Sequence, residues 1–437
     1  VIGSLILNQL NHPSKAFIKL IIAHLKRIEP TISYALGQNN NHGTSEGAAL
    51  YIGGSLLIQN GYNQGFKFQK IGIKVLENLI KKLIDNNGTF SQYSLNYHRL
   101  MLDTICCCEL IRNKLKLTKF SNKFYKKATL ATEWLFSIVD CKSGDGPNVG
   151  ANDGARIIPL TDCLYRDFRP TVQLAMVIFK SKTAYPAGKW NDQFDWLKIN
   201  IKNKKLVKPK SLVAIEGGFT ILRKQDIFAC FRYPSFNFRP SQNDILHVDF
   251  WINGKNIFRD AGTYSYNADE KFMKYFGSIE SHNSIQFDNN EPMDKISRFL
   301  YSDWIKTNWI SNYKNINGNI SFGAGYIDKY GSSHRRLINL NKKNFIINDE
   351  IMGFKNNATL RWRLINQPWQ ISSQENNIFL KSDAYNDVSI KIECSEKIKS
   401  FDIEEGYESL YYQNYNKIPV LKVVLEKKCN INTIVEW

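Results

Sequence analysis

The stretch HVDFWINGKNIFRDAG, His247 to Gly262, places Asn253-Gly254 between two runs that alternate apolar and polar residues. Asn-Gly between alternating runs is a strong signal for a two-residue hairpin turn, because both turn positions need a positive φ. A two-residue loop fixes the expected register: Ile252 faces Lys255, Phe250 faces Ile257 and His247 faces Asp260. The period of two then puts Val248, Phe250, Ile252 and Ile257 on a core face. His247, Asp249, Trp251, Phe258 and Asp260 fall on the other. An imidazole opposite a carboxylate is half of a metal site or a hydrogen-bonded orienting pair, and the spacing leaves both readings open. A further histidine, His282, follows in SIESHNSIQFDNNEP.

Around this hairpin the chain has two textures. Beyond residue 211, short β-branched and aromatic runs such as GFTILRK, IFACFRY, FIINDEI, ATLRWRLI and VSIKIEC follow one another with turn signals and no helical spacer. That pattern predicts an antiparallel β-sandwich. Before about residue 200, apolar residues recur at helical spacing over 16–36, 48–58, 66–84, 95–115 and 124–139, with shorter candidates at 172–179 and 194–199. The basic segment KNKKLVKPKS, Lys202 to Ser211, reads as the linker. The expectation is a two-domain α+β chain, with helices over residues 1–205 and the sandwich over 212–437.

Composition narrows the function classes. The chain has 437 residues and carries 58 Lys+Arg against 40 Asp+Glu, a formal net charge of +18. Such a surface favours polyanions. No Lys/Arg run of five or more and no zinc-finger spacing appears, so nucleic acid drops in rank and an anionic membrane face or an acidic polysaccharide stays open. No apolar stretch reaches the roughly 18 residues of a membrane span. The eight cysteines show no CxxC, and the adjacent Cys106, Cys107 and Cys108 diverge around a helix, so neither a disulfide framework nor a cysteine metal cluster is indicated.

Three helical-half motifs carry chemistry. GQNNNHGTSEGAALY, Gly37 to Tyr51, is an Asn-rich loop before a helix expected from Ser45 onward; a His and Asn donors at a helix mouth suit an anionic ligand. GTFSQYSLNYH puts Tyr97 at another helix entrance, where a phenol held beside positive charge (Arg99 and His42 are the candidates) could transfer a proton. The loop GPNVGANDGARIIPLTDCLYRDFRP supplies Arg156, Arg166 and Arg169, a carboxylate clamp or a salt-bridged loop.

Taken in order, NNNHG, GTFSQYSLNYH, HVDFWINGKNIFRDAGTYSYN and SHNSIQFD make the chain resemble the heparinase II/III-like polysaccharide lyases over nearly its whole length. The resemblance implies an α/α toroid, incomplete here on its N-terminal side, followed by an antiparallel β-sandwich. It implies β-elimination on a uronic-acid glycan, in a periplasmic or secreted setting. Matched residue by residue, Asn41 and His42 would neutralise the uronate carboxylate and Tyr97 would act as base, acid or both. His247, Asp260 and His282 match the zinc ligands of metal-binding members, and Arg156, Arg169, Trp251 and Tyr264 are candidate substrate contacts. No organic cofactor is implied. One departure stands out: relatives often carry a further His before the one matching His247, where this chain reads SQNDIL, Ser241 to Leu246. That departure keeps a C5-epimerase and a non-catalytic glycan-binding protein in view.

Overall fold

A computed structural model describes residues 3, 13–382 and 388–437. The chain divides into two compact units. The first comprises helices; the second is built from antiparallel sheets and takes in residues 93–95 and 137–154 as well as everything from Lys210 onward. Backbone and side-chain bonds recruit those two inserted segments: Leu95 N–H donates to Val149 O at 3.3 Å, and Asn148 Nδ2 donates to Ser409 O at 2.7 Å.

In the helical unit the main helices are Lys15–Ile28, Asn41–Gln59, Gly65–Leu83, Leu95–Lys114, Asn122–Ile138 and Arg169–Lys180. The expected 16–36 helix is interrupted at Glu29–Thr31, a 3₁₀ turn in which Pro30 removes a backbone donor. The helix expected from Ser45 starts four residues earlier, because the Asn40 side chain accepts His42 N–H and caps it. Consecutive helices Asn41–Gln59 and Gly65–Leu83 touch backbone to backbone. Glycine makes this possible: a Cβ on Gly72 would lie 2.3 Å from Tyr51 N, and one on Gly54 would lie 2.4 Å from Gln69 N. Helix Leu95–Lys114 packs on Asn122–Ile138 through His98, whose ring stacks on Trp134 at 4.5 Å while its Nε2–H donates to Ala131 O at 2.8 Å. Full burial pushes the His98 pKa down to about 4 against one favourable backbone bond.

The second unit opens with a five-stranded meander, Leu212–Ala214, Phe219–Lys224, Ile227–Arg232, Val248–Ile252 and Lys255–Phe258. A nine-stranded sheet, a four-stranded sheet and a two-stranded ribbon of Lys295–Ser297 with Leu300–Tyr301 complete it, and every strand pair among the described residues is antiparallel. Their shared core is apolar and aromatic: Phe250 stacks on Phe345 at 4.4 Å and Phe258 on Trp362 at 4.4 Å. Asn253 and Gly254 adopt φ of 50° and 89°, the two-residue turn expected.

The register departs from the simple hairpin. Ile252 faces Lys255 and Trp251 faces Asn256, but Phe250 faces Phe258, so Ile257 is an extra residue in a bulge. Phe258 therefore joins the core instead of the polar face. Phe250 does not meet Ile257, and Asp260 is no longer the ladder partner of His247.

Two outcomes follow from these contacts. Gly72→Ala should cost about 3 kcal/mol, the upper end for overpacking, because the clash is with backbone that cannot rotate away; Gly37→Ala, with nothing within 4 Å of the new carbon, should be neutral, and thermal melts of the two compare them. His98 has a folded pKa below its ordinary value, so the unfolded chain binds its proton first and stability falls as pH drops from 6.5 to 4. Denaturant midpoints across that window should show a loss on the order of 3 kcal/mol from this group at most, and His98→Gln should flatten the slope.

Candidate functional site

In the helical unit, two of the sequence motifs are tied together. Gln92 Oε1 accepts the N–H of Asn41 at 2.9 Å, and Ser91 Oγ donates to Asn39 O at 2.9 Å. The start of helix Asn41–Gln59 is thereby fastened to the segment that leads into helix Leu95–Lys114, whose third residue is Tyr97. Tyr97 is buried at 7% exposure, Asn41 is half-buried and His42 is exposed. One turn on from His42, Glu46 has its pKa raised by burial, with His42 opposing the shift. Gln92 escaped sequence reading; its only signal was a polar side chain set two residues before the SLNY entrance.

The arginines are committed elsewhere. Arg99, named above as a charge beside Tyr97, is buried, donates to Asn96 Oδ1 at 2.8 Å and to Ala155 O at 3.3 Å, and lies over the Tyr165 ring at 4.3 Å. Arg156 donates to Cys163 O at 2.9 Å and Thr161 Oγ1 at 3.3 Å. Arg169 grips Asp167 with both edges at 2.9 and 2.8 Å and stacks on Trp190 at 4.0 Å. Each holds its own segment of the helical unit, and its ion pair with Asp167 makes Arg169 part of a salt-bridged loop.

In the sandwich unit, His247, Asp260 and His282 come together as expected, though not through the ladder. All three are fully buried, and each offers a ligand atom within 4.8 Å of the others', which no other group of three or more His, Cys, Asp or Glu does among the described residues. His282 Nδ1–H donates to Asp260 Oδ2 at 2.8 Å, and His247 Nε2 lies 3.4 Å from the same oxygen. Asp260 Oδ1 accepts Gly262 N–H at 2.7 Å. Burial alone would raise the Asp260 carboxyl, but the two imidazoles and these bonds hold it below the usual range. Asp249, 3.6 Å from His247 Nε2, goes the other way, raised by burial.

Asn283 builds this cluster. Its Nδ2 donates to Val248 O at 2.8 Å and Arg259 O at 3.1 Å, next to His247 and Asp260 in sequence. Its Oδ1 accepts Arg363 N–H at 2.6 Å, and its own N–H donates to His247 Nδ1 at 3.0 Å. Arg336 reinforces the arrangement: Nη1 donates to Leu246 O and Asn283 O, both at 2.6 Å, while Nε and Nη2 hold Asp349 at 2.7 and 3.0 Å.

The donor set fits a small cation in most respects. His247 Nε2 and His282 Nε2 are buried and lack a hydrogen-bond partner, and a carboxylate orients His282 from its other nitrogen, as metal-binding imidazoles require. His247 is the strained member: its Nδ1 accepts a backbone N–H, which leaves the proton of a neutral ring on Nε2. A cation there requires that ring to turn away from Asn283.

Two expected sugar contacts are placed differently. Trp251 is 3% exposed, stacks on Phe228 and donates to Asp249 Oδ1 at 2.6 Å, so it serves the sheet and is not available to a glycan. Tyr264 is half-buried among Phe272, Phe276 and Tyr415, with ring centroids 5.2–5.6 Å away.

The fold is shared with solved proteins. A mutant of heparan sulfate lyase HepC from Pedobacter heparinus superposes with a TM-score of 0.69 at 19% identity, over 90% of this chain and 59% of its own length. A heparinase III gene product gives 0.73 at 16%, over 99% and 67%. A second heparinase III gives 0.73 at 15%, over 100% and 68%. The present chain thus spans about three-fifths to two-thirds of these proteins, and at such identities the likeness is one of fold. No curated protein matches the chain in sequence. The family description Heparinase II/III-like, C-terminal, matches residues 207–428, just over half of the 437 residues and the whole hairpin with its His-Asp-His cluster. The chain belongs to the heparinase II/III-like family.

Proposed function

We propose that this protein is a polysaccharide lyase that cleaves a uronic-acid polysaccharide by β-elimination, acting in the periplasm or outside the cell. The observation that carries the reading is the fastening of the Asn39–Asn41 helix mouth to the Ser91–Gln92 approach to Tyr97, in a chain of this family. The net charge of +18 suits the acidic substrate.

The chemistry assigns each residue a task. The C5 proton of a uronate is weakly acidic because the neighbouring carboxylate is already negative. Donors from Asn41 and His42, with the positive end of a 19-residue helix behind them, would neutralise that carboxylate and stabilise the enolate-like charge. Tyr97 would remove the C5 proton, the electron pair would form the C4–C5 double bond, and the C4–O bond would break. The departing oxygen takes up a proton, which Tyr97 would return. The products are an unsaturated uronate at a new end and a free hydroxyl.

A zinc ion held by His247, Asp260 and His282 is part of this proposal. When bound, it would cross-link the hairpin to the His282 segment and serve stability more than chemistry.

Two measurements check the reading. Ultraviolet absorbance of the unsaturated product, followed over a panel of uronic-acid polysaccharides, should rise with the parent protein. It should fall by about three orders of magnitude with Tyr97→Phe and by two to three with His42→Ala, circular dichroism being unchanged. Exchange of the C5 proton with solvent without absorbance would indicate an epimerase instead, and Tyr97→Phe within a few-fold of the parent would remove Tyr97 from the mechanism. For the ion, elemental analysis should find close to one zinc per chain, lost in Asp260→Asn with a lower melting temperature. Metal-free protein that melts identically in chelator would dismiss it.

A further inference from the structure

The SQNDIL stretch before His247, Ser241 to Leu246, includes Gln242, whose surroundings form a small cavity inside the sandwich unit. Gln242 is 3% exposed. Its Nε2 donates to Gly262 O at 2.7 Å and Phe276 O at 3.1 Å, and two carbonyl partners fix which way the amide points. Its Oε1 is buried and has no hydrogen-bond partner among the described residues. An unmet acceptor of this kind costs free energy unless something donates to it.

The cavity that Gln242 lines measures about 40 Å³ and is bordered by Ser241, Ser265, Tyr266, Lys295, Arg298 and Phe299. Since a single water needs roughly 10–15 Å³ of such space, the volume suits a substituent of a few heavy atoms and excludes a whole sugar ring. Lys295 supplies a cation at its wall. Its Nζ donates one N–H to Met273 O at 2.8 Å and lies so close over Gly277 that a Cβ there would come within 3.0 Å of it. Burial lowers the Lys295 pKa, with Glu291 opposing, so this ammonium gains from an anion drawn next to it. Arg298 adds a second positive charge. Tyr266 and Phe299 meet edge to face at 5.0 Å, an apolar ledge of the kind a sugar ring covers.

We propose that this cavity seats an oxyanion substituent of the glycan, a carboxylate or a sulfo group, against Lys295 and Arg298, with a neighbouring sugar hydroxyl donating to Gln242 Oε1. The inference deepens the lyase reading and rests on it for the substrate class. Size selects the group, the two cations select its charge, and the lone acceptor requires a donor beside it. Gln242 thus makes the stretch that departs from the family pattern a source of specificity.

The test is calorimetric titration of the full chain with one acidic oligosaccharide of alternating uronate and hexosamine, prepared in sulfated, desulfated and carboxyl-reduced forms. Lys295→Met and Arg298→Met should each weaken binding about tenfold for the forms that retain the seated group and leave the form lacking it unchanged. The form that escapes identifies the group as sulfo or carboxylate. Lys295→Arg should recover most of the affinity. Gln242→Met should weaken all forms that keep the adjacent hydroxyl. Equal loss across the three forms would mean a general charge effect, and unchanged affinity would mean a cavity filled by water only; either result overturns the proposal. Titration and cleavage are separate readouts. A parent protein that binds these sugars without cleaving any uronic-acid polysaccharide removes the lyase reading and leaves the cavity's preference measured.

Discussion

A single uncharged side chain, Asn283, holds together the part of the sandwich where chemistry concentrates. It is fully buried and has all of its polar atoms engaged. Two strands that have stopped pairing with each other, at Val248 and beyond Phe258, are bridged by its amide, and the His282 segment is carried along by its backbone. An aspartate of the same shape would bring an oxyanion where the two carbonyls of Val248 and Arg259 expect a donor. An alanine would leave those carbonyls and the Arg363 N–H without partners in a dry interior, the costly way to lose a hydrogen bond. The cluster of His247, Asp260 and His282 exists because this residue restores order where the ladder ends.

Charge inside the molecule follows the same economy of partners. Arg99, Arg232, Arg336 and Arg363 are all at most 1% exposed. Arg232 donates to the carbonyls of Gly217, Gly218 and Tyr233 and lies near Asp244, with the Tyr93 and Phe219 rings against its plane. Several of the positive charges that make up the net +18 therefore serve as fixed hydrogen-bond forks for backbone oxygens. The attraction for polyanions belongs to the exposed lysines and arginines that remain, Lys295 and Arg298 among them.

Much of this was legible in the sequence, and the misses share a cause. The two textures and the Asn253-Gly254 turn follow from periodicity and local turn chemistry, which act over a few residues, whereas the meeting of His247, Asp260 and His282 was expected from the family resemblance and is reached around Asn283, not through the ladder. The bulge at Ile257 does not, because it is decided by Phe258 reaching Trp362 from a distant strand. Trp251 carries the composition of a sugar contact, and only the register reveals that it lies flat on Phe228. The helix beginning at Asn41 was displaced in the reading because three asparagines look like loop, although one of them is a cap. Gln92 and Asn283 are ordinary amides in sequence. Their importance is a property of which orphaned groups surround them, and no local pattern encodes that.

The bulge also sets how this region can change over time. Side-chain substitutions on either strand leave the backbone path intact, so the hairpin can drift in composition while its faces stay assigned. Register is different. Deleting Ile257, the extra residue, would restore a plain ladder with Phe258 still opposite Phe250, whereas straightening the strand at its present length would pair Phe250 with Ile257 and turn Phe258 out of the core. A one-residue slip of register here inverts inside and outside in one step, so the hairpin is a place where the chain tolerates spelling errors but not the closing of its bulge at unchanged length.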